Sequence, residues 1–312
     1  MAEDLKSLYK TVLADNSLAV HFVIGRYLAT FYFRDKNFIT NLFPEIFPKD
    51  EPDKKDIYLA SWEGYLSNVL YDKMFIALRD YYSYAITLDP KVYTERKYSK
   101  GLDESIATHL ALAFTHLGLE INDPLFTQFW DTPNETRHYE FVSFIGRSCL
   151  TRDQAGDEWL KEHKVSKEKL ITFWDWLLER NFEPKTYSGF GFWINQNEEI
   201  LSEKSIIDRL PKTLEKSEGD LDWDYGFTRR LEKFAELNPK NTIKSVELYL
   251  LTSDGNLNPH RGLPMFSIDS EIKNALEVCY KDPELKKDVE NFINKLIEKG
   301  SSTFWGLKDV LN

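Results

Sequence analysis

"KLITFWDWLLER", residues 169–180, is the stretch on which the fold turns. Leu170, Ile171, Trp174, Leu177 and Leu178 recur at helical spacing and make one apolar stripe, while Phe173 and Trp176 are expected to point elsewhere. A helix that is apolar on two sides is packed on two sides. Stacked helix pairs need that arrangement, because each helix touches both its hairpin partner and the next pair. Ser166 and Glu168 supply a cap and an acidic first turn.

Outward from this segment the helical period repeats. Leu5, Leu8, Tyr9, Val12 and Leu13 form a stripe at spacings of three and four. "SLAVHFVIGRYLATFYF" (17–33) reads as one buried helix, since His21 and Arg26 interrupt it too early for a membrane span. After a break with three prolines at 43–56, helices are expected over 57–70, 73–88, 104–119, 124–130, 137–149, 157–163 and 166–180. They resume over 203–217, 225–237, 240–252, 269–281 and 283–299, with a tail through "FWGLKDVL" (304–311). Short gaps between amphipathic helices favour antiparallel hairpins. No strand is expected, and with only 14 glycines and 12 prolines a turn-rich sandwich or barrel is disfavoured. The expected fold is all-α, a HEAT-like α-solenoid of antiparallel helix pairs. It forms a single helical-repeat domain over 1–312 with softer points near 89–103 and 182–200.

The formal charge of −11, with no long basic stripe, disfavours binding to bare phosphate backbones. Two cysteines far apart, Cys149 and Cys279, make no disulfide framework and fit a reducing, cytoplasmic setting. The start "MAEDLKSLYK" is acidic and amphipathic, unlike a signal or transit peptide.

The densest group of chemistry-bearing residues is "RHYEFVSFIGRSC" (137–149). His138 and Cys149 share a helix face but lie about 16 Å apart along the axis, too far for a nucleophile pair. Phe141, Val142 and Ile145 fill the same stripe, so Cys149 reads as a small buried residue. His109 and His116 lie two turns apart with Ala113 between them, which is not metal-ligand spacing. Asp220, Asp222 and Asp224 in "GDLDWDYG" imitate the start of a calcium loop, but Tyr225 and Leu231 occupy its glycine and glutamate positions. An acidic surface turn capping the next helix is expected there. "SGFGFW" lacks the third glycine and the preceding strand of a dinucleotide loop. No catalytic residue, metal or cofactor is expected. The candidate binding groups are His260 and Arg261 in "NPHRG", and Arg96, Lys97 and Lys100 in the first long polar loop. Trp193 joins them, as one of the tryptophans, with Trp62, Trp130 and Trp305, that would anchor a partner if exposed.

Several stretches also fall in a recognisable order. These are "LASWEGYLSNVLYDKMFIALRDYYSYAI" (59–86), "HLALAFTHLGLEINDPLFTQFWDTPNETRHYEFVSFIGRS" (109–148), "FWDWLLERN" (173–181), "FGFWI" (190–194) and "DVENFINKLIEKGSSTFWGLKDVL" (288–311). The series resembles the helical C-terminal region of large bacterial proteins that carry an effector or a P-loop/STAND-type NTPase and act in anti-phage defence. The resemblance implies a module that senses, scaffolds or regulates, with the effector or NTPase lying elsewhere on a longer protein or on a separate subunit. It carries no catalytic residues over.

The expected function is therefore a non-catalytic protein-interaction, sensor or scaffold module whose partner is a protein, an effector or NTPase subunit. One alternative is an enzyme or small-molecule receptor with a site assembled from His109, Arg137, His138 and His260. Another is a structural subunit of an assembly, which would show a large exposed apolar face and concentration-dependent stability.

Overall fold

The computed structural model describes residues 1–88, 101–150, 166–195, 200–252, 255–258 and 269–300, with Phe304 and Leu307. The described residues are helical throughout, with no strand; Leu251 and Leu257 form one isolated antiparallel bridge. The chain is therefore all-α. It divides into two compact units, Met1–Arg137 and His138–Asn312. The division falls inside the helix that begins at Glu135, between the two softer points read from sequence.

The first unit contains α1 (Glu3–Leu13), α2 (Leu18–Arg26), α3 (Leu28–Arg34), α4 (Lys36–Asn41), α5 (Phe43–Ile46) and α6 (Lys55–Leu66). It continues through α7 (Asp72–Ala77), α8 (Arg79–Ile86), α9 (Leu102–His116) and α10 (Pro124–Asp131) into the start of α11 (Glu135–Phe144). The 17–33 segment is two helices rather than one, because the chain turns at Tyr27 (φ −98°, ψ 7°). Beyond that turn Leu28, Ala29 and Tyr32 are buried. Asp35 caps α4 by accepting from the Phe38 N–H, and Asp123 caps α10 by accepting from the Leu125 N–H, with Pro124 at the first helical position.

Helices α2 and α6 cross with their backbones in contact. A Cβ on Gly25 would lie 1.9 Å from the Ser61 carbonyl oxygen, and one on Gly64 would lie 2.0 Å from that of Phe22. Only two glycines permit this approach. Around the crossing sits an aromatic core in which Trp62 meets Phe47, Tyr58, Tyr65 and Tyr82 at ring-centroid distances of 4.9–6.0 Å. Both α6 and α9 bury residues on more than one side.

The second unit holds the rest of α11, a π-helical turn at Ile145–Cys149, and α12 (Lys167–Leu178), α13 (Pro184–Ser188), α14 (Gly191–Ile194) and α15 (Glu203–Lys216). It continues with α16 (Tyr225–Arg229), α17 (Leu231–Leu237), α18 (Pro239–Leu250), α19 (Asp269–Tyr280) and α20 (Lys286–Glu298). Residues 137–149 are thus helical, with Cys149 buried, as their apolar spacing predicts. The expected 157–163 helix lies outside the described residues, as does most of the 304–311 tail.

Helix α12 departs from its sequence reading. Its buried face is Leu170, Phe173, Trp174, Leu177 and Leu178, one continuous stripe at spacings of three, one, three and one. Phe173 belongs to that stripe, and Ile171 and Trp176 are half-buried at its edges. Arg180 covers Trp176, its guanidinium carbon 3.7 Å from the ring centroid. Trp174 stacks on Phe190 at 4.4 Å and 5°, and Trp193 closes against both.

Candidate interaction surfaces

None of the sequence-derived binding residues proves to be an exposed anchor among the described residues. Arg96, Lys97, Lys100, His260, Arg261 and Trp305 lie outside them. Trp193 is fully buried, and its indole N–H donates to the Val142 carbonyl at 2.8 Å. It belongs to the core, where a two-ring side chain gains more from stacking than from solvent. Trp62 and Trp130 are buried as well.

Of the residues considered for a dispersed active site, His260 lies outside the described residues, and His109, Arg137 and His138 are held in structural contacts. Arg137 is 1 % exposed; its guanidinium donates to Asp103 and to the Ile86 and Leu88 carbonyls, and Asn134 also donates to Asp103. His138 is buried with its ring 4.8 Å from that of Phe182. His109 Nε2 lies 3.0 Å from the Asn68 carbonyl and Nδ1 lies 2.6 Å from the Tyr82 hydroxyl. A carbonyl only accepts, so Nε2 carries the proton and Nδ1 accepts from Tyr82. The Tyr65 hydroxyl is 3.1 Å beyond. Burial lowers the His109 pKa to about 4, so the ring stays neutral. Cys279 is equally inert, its thiol pushed up to about 12 by burial and then by Asp282. Among the described residues no group of three or more His, Cys, Asp or Glu is placed to hold a metal ion. Among them, too, no helix is long and apolar enough to cross a membrane.

The segment that imitates a calcium loop has a different role. Asp220 and Asp222 both lie on Lys185 Nζ, at 3.9 and 2.7 Å, while Asp224 turns elsewhere. Asp222 accepts from Lys185 Nζ at 2.7 Å and from the Ser188 hydroxyl at 3.2 Å, while Asp224 accepts from the Tyr249 hydroxyl at 2.6 Å. The backbone is pinned too. The Asp222 N–H donates to the Ser188 carbonyl at 3.0 Å, and Asn195 Nδ2 donates to the Trp223 carbonyl at 2.6 Å. Gly191, one of the two glycines of "SGFGFW", lets α14 lie against this loop: a Cβ there would sit 1.8 Å from the Asp222 carbonyl oxygen. Burial, and then Asp222, hold the Tyr139 phenol well above its usual range.

What this scaffold holds out is Trp223. Its φ is 53°, in the left-handed region that side chains rarely adopt, and Glu218 shares that conformation at 55°. Trp223 is 65 % exposed and Tyr225 is 59 % exposed, with the Arg229 guanidinium 5.2 Å from the Tyr225 ring centroid. A left-handed tryptophan costs on the order of 1–2 kcal/mol. The indole of this residue lies largely in solvent. In sequence the aspartates flanking Trp223 resemble metal ligands, and nothing local marks the indole as exposed except its place inside a turn, between two glycines seven positions apart, Gly219 and Gly226.

A second surface lies on the first unit. Ten of the thirteen large apolar side chains exposed among the described residues fall between Leu5 and Ile76, so apolar exposure is concentrated at one end of the chain. Phe33 and Tyr71 meet edge to face at 5.9 Å. The turn after α6 is fastened to the end of α2 by Asn68 Nδ2, which donates to the Arg26 carbonyl at 2.6 Å. The Asn68 carbonyl is the group that His109 holds from inside.

No protein-family model, no curated protein and no solved structure matches this chain.

Proposed function

We propose that the protein is a non-catalytic interaction module that docks a partner protein through Trp223. The observation that carries this reading is the exposed, left-handed Trp223 on a loop fixed by Lys185, Ser188, Asn195 and Tyr249. Buried aromatic anchors supply most of the free energy at protein interfaces, and a pre-fixed anchor loses little entropy on binding. We further take the helices as a HEAT-like array of antiparallel pairs, a reading supported by the two-sided burial of α6 and α9 and weakened by the single buried stripe of α12. The resemblance of the helical order to bacterial defence proteins makes an effector or NTPase subunit of an anti-phage system, in a bacterial cytoplasm, the partner to seek.

The test is affinity capture of the full chain from its source organism, with and without phage challenge, in parallel with Trp223→Gly. Glycine removes the indole and relieves the left-handed backbone, so the variant is expected to melt at or above the wild-type temperature. The reading predicts one protein captured in stoichiometric amount by the wild type and lost by Trp223→Gly. A partner retained by the variant, or a co-purifying small ligand with no protein, would overturn it.

A further inference from the structure

We infer that the exposed apolar patch on the first unit is a second docking site, one that takes an acidic amphipathic segment of a protein partner. The patch comprises Tyr27, Phe33, Val69, Tyr71 and Ile76, with Val69 at 71 % and Ile76 at 69 % exposure. Two fixed contacts hold its parts together: the Phe33–Tyr71 ring pair, and the Asn68 side chain on the Arg26 carbonyl. The surface is therefore built on helix ends tied to one another and to the buried His109–Tyr82 pair. Tyrosine and phenylalanine clustered on a rigid base are the chemistry of interface cores.

Charge selects the occupant. Arg26 ends α2 beside Tyr27, Arg34 ends α3 beside Phe33, and Lys73 lies in the first turn of α7 beside Tyr71. All three are exposed, and no ion pair holds any of them among the described residues. Asp72, exposed beside Lys73, accepts from the Lys73 N–H and offsets one of the three charges. In a chain of net charge −11, three cations with no ion pair among the described residues, set against one carboxylate, leave a local excess of positive charge beside the apolar patch. An apolar stripe flanked by Asp or Glu complements that field, and arginine paired with carboxylate adds geometric specificity. An anionic bilayer offers the same charge, but it is an extended plane that meets the field of the whole acidic molecule. A short segment samples only the patch, well within a screening length of about 8–10 Å.

The experiment selects a displayed library of random 16-residue peptides against the full chain, then repeats binding with Tyr71→Ser and with Arg26→Glu/Lys73→Glu. These side chains are exposed, and circular dichroism with thermal melting confirms that the variants fold. Trp223→Gly is run alongside and is expected to bind the same peptides, which separates this site from the loop proposed above. The inference expects enriched peptides that carry apolar residues at helical spacing and net negative charge. It expects their affinity to fall at least about tenfold in both patch variants and to weaken with salt. Enrichment of basic peptides, no enrichment, or binding indifferent to the patch variants overturns it. So does patch-dependent co-sedimentation with phosphatidylserine vesicles in the absence of peptide enrichment, which would assign the surface to a membrane.

Discussion

Arg137 shows what a single residue does in this molecule. Its guanidinium is buried and divides its donors between the Asp103 carboxylate and two backbone carbonyls at the end of α8 and just beyond it. Removing one partner of such a pair leaves an uncompensated charge, which costs about 3–5 kcal/mol. Arg137→Met should therefore lower stability by that order in chemical denaturation. Adding Asp103→Asn should recover part of the loss, because the remaining amide is neutral and still faces Asn134. Equal destabilisation by single and double variants would show that the pair's charge is irrelevant. Sequence excluded His138 and Cys149 as a nucleophile pair from spacing along a helix, a local property. It could not show that Arg137 closes onto carbonyls some 50 positions away, or that Trp193 is core while Trp223 is surface. Those outcomes depend on which elements meet, and similar tryptophans at helical or turn positions carry no record of that.

At the scale of elements, hydrophobic period predicted most helices, because an apolar stripe needs only local spacing. The misses have local causes as well. Tyr27 is itself no turn former, and Gly25 two positions earlier serves the contact with α6, yet the chain turns at Tyr27 and Leu28 and Tyr32 are buried beyond it. Phe173 completes a stripe that its spacing leaves open, since a stripe at three-one-three-one spacing can be drawn with either of two neighbouring residues at its edge. Gly25 and Gly64 are the clearest case of information hidden until helices pair. Each is an ordinary helix-interior glycine in sequence, and each is where one helix backbone lies on another. Gly64→Ala should force α2 and α6 apart and cost at least about 2 kcal/mol, against a helix-propensity gain of roughly 1 kcal/mol. Gly118→Ala provides the contrast. Its φ is +74° with nothing within 4 Å of the added Cβ, so only backbone strain of about 1 kcal/mol applies. A Gly64→Ala protein as stable as wild type would mean that the α2–α6 crossing is not held as described.

For the whole molecule, the aggregate of shifted titratable groups sets a pH profile whose sign follows from each shift. His109 has its folded pKa lowered from 6.5 to about 4, so the folded state binds fewer protons than the unfolded chain between those values. Its contribution is complete above pH 6.5 and is lost as pH falls toward 4, roughly 3 kcal/mol in all. Asp35, lowered first by the Phe38 N–H, and Glu179, lowered first by Lys212, lose their contributions at more acid pH, below the ordinary carboxylate range. Tyr58, Tyr65 and Tyr82 are raised by burial, so their contributions are present below pH 10 and vanish above it, when the unfolded chain ionises and the core cannot. Cys279, raised from 9.0 to about 12, starts to lose its contribution above pH 9, so stability should be flat from about pH 6.5 to 9 and decline on either side. His109→Gln should abolish only the decline between pH 6.5 and 4, leaving the more acid and the alkaline limbs in place. Denaturation midpoints measured across pH 3–11 for both proteins decide the matter. A wild-type profile that is flat from 6.5 to 4, or a variant that keeps the slope there, would show that His109 is not the neutral, buried acceptor for Tyr82 on which the turn at Asn68 rests.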